Sequence, residues 1–224
     1  MSRVLRFGRK AALSGQAKSL VIFVHGYGAD GADLLGIADV LGPHLPDTVF
    51  YAPDAPQACA ASGFGRQWFP IPRFDGSTEV DSAVAMDQAA DDLNGFIDIT
   101  LQAEAVSASE LVLVGFSQGA MMGLHVAPRR ADTIAGLVAI SGKLMRPNTL
   151  AMEMTVKPEV LLMHGDRDDV VPFGEMQAAG NTLVANGFKV FAHVMKGGGH
   201  GISQDGLGVM LSFIAERLPK AAKL

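Results

Sequence analysis

Short runs of consecutive apolar, often β-branched residues recur along the chain at 20–24, 48–51, 111–114, 134–140, 160–163 and 190–194. Most lack the alternation of a half-buried strand, so they predict strands covered on both faces. Between them, Met86, Ala90, Leu93, Ile97 and Leu101 keep a helical stripe, and 120–127, 174–185 and 207–218 also read as helices. Strands alternating with helices imply right-handed crossovers and an α/β fold, a doubly wound, mostly parallel sheet flanked by helices. The least regular stretch, 55–82, holds Phe64, Trp68, Phe69, Ile71 and Phe74 among glycines and prolines. A long aromatic loop of this kind reads either as a substrate-facing lid or as a cover for the sheet edge.

Length and composition narrow the class. The 224 residues suit a single domain over 1–224, and 49% apolar content supplies a large core. A net charge of −5, without any run of Lys or Arg, argues against nucleic acid and anionic membranes as main partners. Cys59 is the only cysteine, which excludes an internal disulfide and a multi-cysteine metal site. No apolar run reaches bilayer length and residues 1–10 lack a signal-peptide core, so a cytoplasmic protein without membrane insertion is expected. Exposed methionine and aromatic residues are compatible with a homodimer.

The candidate chemistry centres on Gly115-Phe116-Ser117-Gln118-Gly119. As a bare G-x-S-x-G pattern this is weak, but a strand runs into it and a helix follows at once, the setting of a nucleophile elbow. The plainer reading, a serine capping a helix after an ordinary βα turn, does not account for both glycines. A base and an acid should follow in the order Ser, Asp or Glu, His. His200, in Gly197-Gly198-Gly199-His200-Gly201, lies on a flexible loop before the last helix and is the best-placed base. His25 and His44 precede the serine, His125 lies two helical turns beyond it, and His164 and His193 read as strand residues. For the acid, Asp166, Asp168 and Asp169 crowd the loop after 160–163; Asp168 and Asp169 stand level on pattern alone, with Asp166 behind. The glycine-rich turn His25-Gly26-Tyr27-Gly28 follows the first expected strand. It names the Tyr27 amide, with that of Gln118, as an oxyanion hole. No phosphate-loop or dinucleotide fingerprint accompanies that turn. No cofactor or metal is implied.

Together, Val24-His25-Gly26-Tyr27-Gly28, Arg66-Gln67-Trp68-Phe69, Gly115-Phe116-Ser117-Gln118-Gly119, His164-Gly165-Asp166-Arg167-Asp168 and Gly199-His200 resemble the phospholipase/carboxylesterase branch of the α/β-hydrolases, which includes the acyl-protein thioesterases. The resemblance runs from about residue 20 to 205 and implies that Asp168, not Asp169, is the acid. Tyr27, Asp169 and Gly198 depart from the residues common in that family. The interval 141–159 is too short for a separate cap domain. Trp68, Phe69, Phe74 and Leu144 are the expected substrate contacts, although Leu144 and the nearby methionines read equally as core. The expected activity is hydrolysis of a small-molecule carboxylic ester or acyl thioester through an acyl-enzyme. The rivals are a non-catalytic binding protein of the same fold, and a triad hydrolase of another acyl bond such as a lactone or peptide.

Overall fold

A computed structural model describes residues 2–61 and 63–219. In chain order it begins with β1 (Phe7–Lys10), β2 (Ser19–Val24), α1 (Gly31–Leu35), α2 (Ile37–Leu41) and β3 (Thr48–Pro53). A small hairpin, β4 (Gln57–Ala58) and β5 (Arg66–Gln67), precedes α3 (Pro72–Asp75) and the long α4 (Glu79–Glu104). Then come β6 (Leu111–Phe116), α5 (Gln118–Val126), β7 (Gly136–Ile140) and α6 (Leu150–Glu153). The chain continues through β8 (Val160–Gly165), α7 (Gly174–Ala185), β9 (Val190–Met195) and α8 (Gln204–Arg217).

The main sheet has seven strands in the order β1-β3-β2-β6-β7-β8-β9, all parallel except β1, which pairs antiparallel with β3. Alternate residues of each central strand serve opposite faces. Leu20, Ile22, Leu111 and Leu113 pack on the α4, α5 and α7 side with Leu93, Ile97, Met122 and Leu183. Val21, Phe23, Val112 and Val114 pack on the other side with Leu41, Met210, Phe213 and Ile214. Two covered faces explain why β2, β3, β7 and β8 are buried at every position. The expected α/β-hydrolase architecture is thus present. β9 is the exception to the reading from pattern: as the last strand it is only partly covered.

The strand order reverses at β2, with β3 on one side and β6 on the other. Ligands of open α/β sheets gather outside the strand C-termini at such a switch point. Here Val24 pairs with Gly115, so the turn after β2 and the turn after β6 emerge side by side. The 55–82 segment is more structured than expected. It contains β4, β5 and α3, and its last residues already form the first turn of α4, fixed by a Thr78–Asp81 capping box. Only a 3₁₀ turn (Pro147–Thr149) and the short α6 interrupt the path from β7 to β8.

Candidate active site

Ser117 joins β6 to α5 with φ 54° and ψ −117°, a conformation that costs a non-glycine residue about 1–3 kcal/mol. The strain persists because the neighbours leave no alternative. Ser117 N–H donates to Ile140 O at 2.8 Å, and its own carbonyl accepts from Met121 N–H at 3.1 Å. The flanking glycines are steric requirements. A Cβ on Gly119 would overlap the Val24 and His25 carbonyls, and one on Gly115 would overlap the Gly119 carbonyl. The elbow therefore lies directly against the turn after β2.

The Ser117 Oγ is 2.9 Å from His200 Nε2, and His200 Nδ1 is 2.8 Å from Asp168 Oδ2. With Nδ1 donating to the carboxylate, Nε2 is left to accept the serine proton. Asp168 is buried, yet its other oxygen accepts the Val170 and Val171 amides, each at 2.9 Å. Burial pushes this carboxyl up, but the hydrogen bonds from His200, Val171 and Val170 outweigh it and hold it below the ordinary carboxylate value. Of its neighbours, Asp169 points to solvent. Asp166 instead accepts Gly197 N–H at 2.6 Å, while Arg167 N–H donates to Gly198 O, so the Asp loop pins the glycine-rich loop that carries His200. The Phe116 ring, 4.9 Å from the imidazole, flanks it.

Around the elbow, the Gln118 amide opens α5, where a first-turn N–H has no intrahelical acceptor. The Tyr27 amide lies in the adjacent turn, which is clamped by Gly28 N–H to Arg66 O and Arg66 N–H to Ala29 O, both 2.8 Å. The Gln118 side chain has a part that spacing did not suggest. Its Oε1 accepts Trp68 N–H at 2.8 Å and its Nε2 donates to Phe69 O at 2.7 Å. His25, set aside on chain order, is a second strut. Its Nε2 accepts Ala55 N–H, so Nδ1–H donates to Gly26 O, and its carbonyl accepts Trp68 Nε1–H. Burial keeps His25 below its usual pKa despite the Gly26 carbonyl, so it stays neutral. Arg66 adds bonds from its guanidinium to the Ala55 and Pro56 carbonyls.

A cleft of about 400 Å³ opens at Ser117 and His200. Tyr27, Gln118, Phe69 and Phe74 line it, as does α3. Trp68 and Leu144 do not. Trp68 is fully buried behind the cleft wall, held by Gln118 and His25, and Leu144 is buried in the core. The other wall comes from Val170, Val171, Pro172 and Met145, with Arg73, Lys143, Glu79 and Glu175 supplying charge. Tyr27 OH donates to Asp75, 3.5 Å away, and burial together with Cys59 and Asp75 raises the phenol above its usual pKa. Among the described residues, no three His, Cys, Asp or Glu side chains converge to hold a metal.

A strained serine between strand and helix, met by His and Asp from later loops of a mostly parallel sheet, defines an α/β-hydrolase. Comparison with known proteins narrows this. The phospholipase/carboxylesterase family model matches residues 11–218, and the chain belongs to that family. It is 30% identical to acyl-protein thioesterase 1 of Saccharomyces cerevisiae over 230 residues, covering 94% of this chain and 97% of that protein. It is 28% identical to an acyl-protein thioesterase 1 homolog of Dictyostelium discoideum, covering 89% and 91%. Among solved structures, the crystal structure of esterase PE8 superposes with a TM-score of 0.88 at 38% identity, covering 96% of this chain and 99% of that one. The chain is a serine hydrolase of the ester-bond class. Among the described residues, no helix is long and apolar enough to cross a membrane.

Proposed function

We propose that the protein is a serine carboxylesterase that cleaves small carboxylic esters or acyl thioesters through an acyl-enzyme on Ser117. The observation that carries this reading is the continuous relay from Ser117 Oγ to His200 at 2.9 Å and from His200 to Asp168 at 2.8 Å. Ser117 attacks the carbonyl carbon as its proton passes to His200 Nε2, and the buried Asp168 carboxylate stabilises the imidazolium. The Gln118 and Tyr27 amides receive the oxyanion, helped by the positive end of α5. The imidazolium protonates the departing alkoxide or thiolate. Water, deprotonated by the same imidazole, then releases the acid and restores Ser117.

The cleft limits the substrate. Its volume of about 400 Å³ lies near the lower end of small-molecule sites, roughly 300–1,000 Å³. This favours short and medium acyl chains. Similarity to proteins named as acyl-protein thioesterases and as an esterase supports both leaving groups. A cytoplasmic setting belongs to the same reading and is supported by the single cysteine.

The test is Ser117→Ala. It should lower p-nitrophenyl butyrate hydrolysis by at least about 10³-fold and abolish fluorophosphonate labelling. Undiminished turnover would overturn the reading. Across a p-nitrophenyl acyl series, kcat/KM should peak at butyryl to octanoyl; a maximum at palmitoyl would refute the size argument.

A further inference from the structure

Arg73 joins the two walls of the cleft. It is the second residue of α3, the one-turn helix that Pro72 opens and Gly76 ends in the left-handed conformation with φ 73°. Its Nη2 donates to Val170 O at 3.1 Å, and Val170 lies on the opposite wall, 97 positions along the chain. The guanidinium carbon sits 4.5 Å from the centre of the Phe74 ring, so the fork rests on its neighbour's face as it reaches out. Phe74 in turn meets the Tyr27 ring at 5.8 Å. Arg73, Phe74, Tyr27 and Val170 all line the cleft that holds Ser117 and His200.

The two ends of this bridge are built differently. Val170 belongs to the turn that the Asp168 carboxylate fixes, since Oδ1 accepts both the Val170 and the Val171 amides at 2.9 Å. Val171 O is held as well, by the N–H of the buried His164 Nε2 at 2.9 Å. The carbonyl that receives Arg73 is therefore part of a fixed wall. α3 is secured at its flanks, where Gln118 Nε2 donates to Phe69 O and Ser82 Oγ to Pro70 O. Asp75 closes the turn on itself by accepting Ile71 and Ser77 N–H. Beyond that, among the described residues, 71–77 bond to the rest of the protein through Tyr27 OH on Asp75, at 3.5 Å, and through Arg73. Neither bond is strong, one being long and the other exposed to water.

We propose that Arg73 is a specificity-determining residue, a clasp whose bond to Val170 narrows the mouth of the cleft and holds back esters with long acyl chains. The inference rests on Ser117 being the nucleophile of the proposed reaction. An arginine that only extended into solvent would not lie on Phe74 and end on a carbonyl of the other wall. Short esters reach Ser117 with the clasp closed. A long chain has to leave through the mouth, so it binds only the form in which Arg73 has let go of Val170. Its apparent affinity is then lowered by the fraction of molecules that are open. One exposed hydrogen bond sets that fraction at about one in five to one in ten.

Arg73→Ala removes the clasp. For p-nitrophenyl decanoate, kcat/KM should rise about five- to tenfold through KM, with kcat changed less than about twofold. For p-nitrophenyl acetate, kcat/KM should stay within about twofold of wild type. Arg73→Met keeps the length and the apolar stem but cannot bond to Val170, and it should act like the alanine variant. Arg73 is exposed, and surface substitutions of this kind leave folding intact. Wild-type selectivity in Arg73→Met would overturn the proposal, because bulk alone would then suffice. So would an unchanged or lower rate on the decanoate in Arg73→Ala. A fall on both esters alike would also overturn it, leaving Arg73 a support of α3. Failure of the underlying mechanism would show differently, as turnover that survives Ser117→Ala, and would take the clasp with it.

Discussion

Gln118 contributes at the residue scale with both its backbone and its side chain: the amide, proposed above as an oxyanion donor, opens α5, and the carboxamide joins the elbow to Trp68 and Phe69. Gln118→Ala keeps the first and removes the second, leaving a buried N–H and a buried C=O unpaired. It should cost about 2–4 kcal/mol in urea unfolding, and kcat/KM should fall as the cleft wall shifts. Asp168→Asn separates charge from shape in the same way. It should lower kcat by about 10⁴-fold with little change in KM, because the amide cannot stabilise the imidazolium. Sequence showed which residue types to seek, and the order of serine, aspartate and histidine located them. Spacing could not choose between Asp168 and Asp169, because both are short carboxylates in one turn. Their difference lies in burial, which the fold imposes: Asp168 faces inward to His164 and His200, and Asp169 faces solvent. The struts made by the Gln118 and His25 side chains join residues 30 to 50 positions apart, beyond any local pattern.

Among the elements, the aromatic segment divides into two parts. Residues 55–61 and 63–69 are bound to the scaffold by Arg66, Gln118 and His25, whereas 70–74 line the cleft and are braced by Asp75, which accepts Ile71 and Ser77 N–H. Arg66→Ala removes the guanidinium bonds to the Ala55 and Pro56 carbonyls. Hydrogen exchange across 57–67 should quicken by about tenfold, while β6 and α4 stay protected; unchanged exchange would show that the hairpin stands without that arginine. Long apolar runs made the central strands legible. β1 was not, because Phe7-Gly8-Arg9-Lys10 is short and half charged, and only its pairing with β3 makes it a strand. The five-residue α1 and α2 are likewise too short for a helical stripe to show.

The molecule as a whole combines two buried histidines held below their usual pKa, His25 and His125, with a buried carboxylate, Asp168, held low, and both set its response to acid. Burial, with Arg129 and Arg146 nearby, lowers His125 from its ordinary 6.5 to about 4, and burial lowers His25 as well. The unfolded chain therefore binds more protons in this window, so stability is full above about pH 6.5 and is lost as pH falls toward 4. Asp168, held low, adds stability that is present above the ordinary carboxylate range and is lost only at still lower pH. His125→Gln should flatten the slope of unfolding free energy between pH 4 and 6.5, with His25 leaving a remainder. A slope unchanged from wild type would mean that His125 does not contribute to it.

Trp68 provides a way to watch these changes. It is the sole tryptophan, fully buried, with its indole N–H on the His25 carbonyl and its own amide on Gln118. The emission spectrum of the intact protein thus comes from one indole behind the cleft wall. Its maximum should lie to the blue in the native state and move to the red when the elbow region opens, even while the distant helices persist. Excitation at 295 nm would therefore turn a residue behind the cleft wall into a built-in optical gauge of the site's integrity, with no label attached.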